Sequence, residues 1–166
     1  MIPLLILAAY IQTSPDLGKA EGQCRVNEQG PAFLVDVNGI KDRTGTLKLE
    51  LYPPNDEDFL ADDNILLMAG KAFRRVEVPV PATGPVQLCI RAPRAGTYAL
   101  TVLHDRDSNR KFGLSVDGVA FAGNPKLGWS KPKAAAAEAS VGNGPARIGM
   151  TMNYRKGLFS FGPLRK

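Results

Sequence analysis

Histidine, cysteine and tryptophan are scarce in this chain, which holds one, two and one of them among 166 residues. Two isolated thiols and one imidazole make a poor zinc ligand set, and Cys24 and Cys89 are too far apart for a CxxC redox pair. There is no Gly-x-Ser-x-Gly turn and no cysteine-centred motif to supply an activated nucleophile, so the sequence points away from an enzyme. Long apolar stretches are missing too. The longest, residues 2–11, is half of the roughly 20 residues that a membrane-spanning helix needs, so no transmembrane helix is expected in the mature chain. Internal repeats are absent. Hydrophobic residues make up 44% and charged residues 22%, which is ordinary for a globular domain and excludes global disorder.

Glycine and proline are plentiful, at 17 and 13 residues, and they sit between short apolar runs. Within those runs apolar residues fall on alternate positions, the spacing that lines one face of a pleated strand. Six runs show it: Phe33-Val35-Val37, Leu47-Leu49-Leu51, Val76-Val78-Val80, Val86-Leu88-Ile90, Tyr98-Leu100-Val102 and Ile148-Met150-Met152-Tyr154. Asn38-Gly39, Asp42-Arg43-Thr44-Gly45, residues 81–85 and Pro93-Arg94-Ala95-Gly96 separate them as turns. Closely spaced strands of this kind pair antiparallel, and six or seven of them fold as two packed sheets. The expectation is an all-β antiparallel sandwich over residues 23–157, followed by a C-terminal tail, 158–166, that covers a sheet edge or hangs free. Two stretches break the rhythm. Residues 53–70 read as a loop with a short helical or irregular lid, and residues 105–144 as one long loop, the kind of segment that carries function.

The apolar run at residues 2–11 is followed by the polar Gln12-Thr13-Ser14-Pro15-Asp16. Its length suits the core of a secretory signal, so residues 1–22 read as a signal peptide or disordered N-terminus and the protein as periplasmic or secreted. No Lys or Arg precedes the run, and a buried first strand or helix is the other reading. In an oxidising compartment Cys24 and Cys89 would form a disulfide; alternatively Cys89 is a small buried apolar residue. The net charge of +5 permits anionic partners, an envelope protein or a polysaccharide among them. Its lysines and arginines are scattered, the densest group being Lys71, Arg74 and Arg75, with no interleaved stacking aromatics, so nucleic acid is not expected.

One segment has chemical character. After the strand ending at His104 come Asp105, Asp107 and Asn109, oxygen-bearing side chains at every second position. Such alternation lets a tight loop aim hard ligands at one cation, and with Asp117 as a late carboxylate calcium is the ion it would take. The helix-loop-helix pattern is not met, since its glycine and glutamate positions hold Arg110 and Val116. Alternating Asp and Asn also build side-chain-to-backbone turns without any metal. His104 reads as a strand-end residue hydrogen-bonded to that loop; an acid-base hydrolase built on it is the more remote reading.

Gly96-Thr97-Tyr98-Ala99, then His104-Asp105-x-Asp107-x-Asn109-x-Lys111, Gly118 and Gly128-Trp129-Ser130 together resemble the exported bacterial family known as domain of unknown function 2141. Members carry a Gly-x-Tyr-Ala strand, a His-Asp-x-Asn-x-Asn-Gly-Lys-x-Asp loop and a later Gly-Phe-Ser element. This chain departs from the pattern at Arg110 and Gly113. The resemblance spans residues 32–155 and implies a small immunoglobulin-like or transthyretin-like sandwich with no established activity. His104 and Trp129 are the expected anchors of the long loop. The function expected is a non-catalytic envelope module that binds through that loop, with a calcium-stabilised domain as the alternative.

Overall fold

A computed structural model describes residues 15–164, so the apolar run at 2–11 lies outside the described residues. Where the sequence alternates, strands form: β1 (Ala32–Asn38), β2 (Thr46–Tyr52), β3 (Arg74–Pro79), β4 (Val86–Arg91) and β5 (Gly96–Asp105). Then follow β6 (Gly118–Phe121), β7 (Glu138–Val141), β8 (Pro145–Thr151), β9 (Asn153–Arg155) and β10 (Phe161–Pro163). A helical turn, α1 (Lys19–Gly22), precedes them, and α2 (Asp63–Met68) forms the lid expected in residues 53–70. Asp62 caps α2 by accepting from the Asn64 N–H.

The described residues thus form ten strands rather than six or seven, and the stretch 105–144 is not one loop but contains β6 and β7. Both are four residues long, too short to display a period of two. The run 148–154 is also cut in two, because the chain changes sheets at Met152. β8 lies in a three-stranded sheet ordered β4-β1-β8, and β9 in a seven-stranded sheet ordered β10-β9-β6-β5-β2-β3, with β7 pairing β5. Met152, at the crossing, is fully buried and its N–H donates to the Asn38 carbonyl at 2.9 Å. The antiparallel expectation holds except for β1 and β8, which run parallel with Ala32 beside Pro145.

The two sheets pack as a sandwich around one apolar core. Phe33, Val35, Leu88, Ile90 and Met150 face inward from the small sheet; Leu47, Leu49, Leu51, Leu100 and Val102 face them from the large one. Each fully buried side chain of this kind stabilises by about 1.5–3 kcal/mol relative to exposure. The large sheet is covered on its outer side as well, so β5 is buried on both faces from Tyr98 onward. There Tyr52, Phe59, Leu66, Phe73 and Phe121 form a second cluster.

Contacts of the sandwich extend to both sides of residues 23–157. Residues 15–22 pack on β3, with the Arg75 N–H donating to Gly18 O at 3.1 Å, and β10 pairs with β9, so the C-terminal tail covers a sheet edge. Cys24 and Cys89 are joined, their Cα atoms 6.0 Å apart and 65 residues apart in sequence. Closing a loop of that length restricts the unfolded chain by about 4 kcal/mol in the chain-entropy account. Among the described residues no helix is long and apolar enough to cross a membrane.

Candidate functional site

The turn after β5 is held by its own carboxylates. Asp105 accepts from the N–H groups of Asn109 (3.1 Å) and Arg110 (2.7 Å), and Asp117 from those of Arg106 (2.9 Å) and Gly113 (2.7 Å). Asp107 accepts from the Asn109 N–H at 3.2 Å and from its side-chain amide at 2.9 Å; the Asn109 carbonyl oxygen turns to the Lys111 N–H at 2.8 Å. That acceptor is the side-chain oxygen Oδ1 of Asn109, so all of these but the Asn109–Asp107 amide contact are side-chain-to-backbone bonds of the kind that stabilises turns. It offsets left-handed backbone at Ser108 (φ 56°) and Arg110 (φ 69°). Of the four residues expected to face a cation, the fold brings three together: one oxygen each of Asp105, Asp107 and Asp117 lies within 4.8 Å of the others. Asn109 lies beside them, its side-chain amide donating to Asp107. Burial pushes the Asp105 carboxyl up, against the pull of the Arg110 N–H.

His104 ends the inner face of β5 and is fully buried. Its ring meets Thr44 O through Nε2 (2.8 Å) and Tyr154 OH through Nδ1 (2.6 Å). A carbonyl only accepts, so Nε2 carries the proton and Tyr154 donates to Nδ1 while accepting from the Lys41 N–H at 3.1 Å. The ring therefore bonds to the β1–β2 connection and to β9, and not to the acidic turn that follows it. Burial holds the imidazole below its usual pKa and pushes the Tyr154 hydroxyl up to about 12. The imidazole is enclosed and both of its nitrogens are engaged. Gly118 makes room for this pair, since a Cβ there would stand 2.2 Å from the Tyr154 ring. Beside it Arg106 donates to Asp42 through Nε (2.9 Å) and to Val116 O (2.8 Å), which holds the Asp42 carboxyl far below the ordinary range.

The concave site lies on the outer face of the large sheet. Residues 53–62 and α2 cover the sheet on one side, where Phe59 and Phe73 pack edge-on against Tyr52 with centroids 5.8 and 5.4 Å away. Residues 122–137 cover it on the other. Lys131 Nζ donates to Phe59 O (3.0 Å) and Asp56 accepts from the Ala134 N–H (2.7 Å), tying the two covers together. The gap between them is a cleft of about 490 Å³. Thr101, Leu103, Val119 and Phe121 form its floor; Leu127, Trp129 and Pro132 arch over it. Phe112, Leu114 and Leu60 close its sides, and Phe112 packs edge-on against Phe161 of β10 at 6.2 Å. Leu60 has φ 63°, left-handed backbone that a bulky residue adopts only when its surroundings impose it. Trp129 is 69% exposed at the mouth, so it does not anchor the long loop in a core. Asp105, Asp117 and Lys131 do that work instead.

At one end the cleft opens into a polar hollow of about 500 Å³, and Lys48 and Glu50 line both. Glu50 is buried, accepting from Arg75 Nε (2.8 Å) and from the Tyr52 hydroxyl (2.7 Å). Arg75 also bonds Asp63 of α2 at 3.0 Å. Burial, then the Glu50 charge, raise the Tyr52 hydroxyl well above its ordinary pKa. Lys48 Nζ lies 3.5 Å from the Glu50 oxygen that Arg75 already occupies.

Fold and site together define a disulfide-linked β-sandwich with a loop-roofed cleft on one sheet. The chain belongs to the family of uncharacterized proteins conserved in bacteria, DUF2141, whose sequence model matches residues 35–149 and so spans both floor and roof of the cleft. No curated protein and no solved structure matches it.

None of the cleft residues except Trp129 stood out in the sequence as part of a site. They are single apolar residues spread from Leu60 to Phe161, with no spacing in common; only the loop at 105–144 hinted at them through its length.

Proposed function

We propose that this protein is an exported, non-catalytic binding module of the bacterial cell envelope, and that its cleft takes a small, mainly apolar ligand. The observation that carries the reading is the cleft itself. It is concave, its size falls within the roughly 300–1,000 Å³ of ligand sites, and apolar side chains dominate its lining with a few polar groups at one end. A flat polar face would suit an envelope protein or polysaccharide better. The Cys24–Cys89 bond supports an oxidising compartment, and the apolar run at residues 2–11 has the length of a secretory signal core. The test is binding of a neutral apolar dye, Nile red, with Val119→Phe to fill the floor. Dye fluorescence should rise with the native chain and fall at least about tenfold in affinity with the variant at unchanged melting temperature. Equal binding by both would place the dye elsewhere and end the reading.

A second reading, a calcium-stabilised domain, is favoured by the convergence of Asp105, Asp107 and Asp117. Against it, the oxygens of all three already accept N–H groups. Melting with calcium and with chelator decides: a midpoint raised by calcium supports the reading, and an unchanged one rejects it.

A further inference from the structure

The cleft is apolar, but its frame is cationic. The turn at residues 108–116 and the roof at 118–137 carry Arg110, Lys111, Lys126, Lys131 and Lys133 and contain no Asp or Glu. The intervening Asp117 is buried and spent on two backbone N–H groups. Of these cations Arg110 pairs with Glu77 at 3.0 Å and Lys131 is tied to Phe59 O. Lys111 borders the polar hollow with no carboxylate among the described residues within ion-pair distance. Lys48 stands where the apolar cleft meets that hollow, 16% exposed, with one long contact to a Glu50 oxygen that Arg75 already holds. An apolar trough thus ends at ammonium groups with donors to spare.

Resting on the reading of the cleft as a ligand site, we propose that the ligand is a single-chain anionic amphiphile, its tail over Leu103, Val119 and Phe121 and its acidic head at Lys48 and Lys111. The carboxylates of the hollow are engaged, Glu50 and Asp63 by Arg75 and Asp62 as the cap of α2, so charge complementarity selects an acidic head: a cationic one would meet Lys48 and Lys111, and a neutral one would leave Lys111 without a counter-charge. The floor selects the tail. Lys131 and Trp129 border the tail, Trp129 at the mouth of the cleft.

Trp129 is the single tryptophan of the chain and borders the cleft, so its fluorescence reports occupancy directly. The full-length protein is titrated with dodecanoate, dodecanol and dodecyltrimethylammonium, each below its micelle concentration, and with phosphatidylglycerol vesicles. Dodecanoate should shift the emission to the blue and bind about tenfold more tightly than dodecanol, and Lys48→Gln should shrink that preference to about threefold or less while dodecanol affinity stays as it was. Lys111→Gln is the second variant, should Lys48→Gln fail to fold. If dodecanol binds as tightly as dodecanoate, the cleft reading survives and the anionic assignment falls. If none of the three amphiphiles changes the emission, the cleft reading itself falls. A response to vesicles alone would make this a membrane-docking face and overturn the proposal.

Discussion

The two faces of the large sheet are built from the same strands and solve different problems. On the inner face Leu47, Leu49, Leu51, Leu100 and Val102 meet another sheet and are fully buried. On the outer face β2 presents Lys48, Glu50 and Tyr52, β3 presents Arg75, and β5 and β6 present Thr101, Leu103, Val119 and Phe121. That face is roofed by irregular chain, with an aromatic cluster, a buried ion network and an open cleft side by side. A regular partner fills a face completely; a roof of loops leaves room for something else.

Removing a charge from the outer face should do the most damage. Arg75→Ala leaves Glu50 and Asp63 buried without their shared cation, a loss of about 3–5 kcal/mol in chemical denaturation. A loss below about 1 kcal/mol would show that water reaches the network. Next comes a paired test of the faces: Leu49→Ala on the inner side should cost about 3 kcal/mol, because its cavity is sealed. Leu103→Ala, whose side chain borders space already open, should cost about 1 kcal/mol. Equal costs would mean that the outer face is as tightly closed as the inner one.

Gly118→Ala should cost about 1–3 kcal/mol, since the added methyl must displace the Tyr154 ring and with it the bond to His104. The smallest effect concerns pH. Burial depresses the His104 pKa in the folded state, so below the unfolded value of about 6.5 the unfolded chain binds more protons than the native one. Stability from this group is therefore complete above that pH and falls as the pH drops through it toward the folded value. Melting temperature between pH 7.5 and 5 should decline in the native chain and decline less in His104→Gln. Depressed carboxylates such as Asp42 act in a lower window, below the ordinary carboxylate range, and do not confuse the comparison.

The same contrast explains what could be read from the sequence. Alternation marks the inner faces of β1, β2, β4 and β5, because a sheet facing a sheet imposes a period of two on its residues. The bond between Cys24 and Cys89 was one of two readings that the cysteine count allowed. Family resemblance pointed to the acidic turn, and Asp105 and Asp117 hold it. What escaped is the outer layer. β6 and β7 are four residues each, and the roof residues Leu127 and Trp129 lie in a stretch rich in Gly, Pro and Ala that has no period at all. Tyr154 read as one more strand residue, yet its hydroxyl engages the second ring nitrogen of the single histidine, a pairing across 50 residues that no local pattern reveals.

The parallel pairing of β1 with β8 has a consequence for how the molecule comes to be made. The middle strand of the small sheet is synthesised well before one of its two neighbours, Ala32 finding Pro145 only when β2 to β7 already exist. Contacts so distant in sequence are slow to form, because much chain entropy is lost before they return anything. A nascent chain would thus stay open, its central hydrophobic strand half-paired, until β8 arrives, which makes closure of the small sheet a single event that follows the rest of the sandwich.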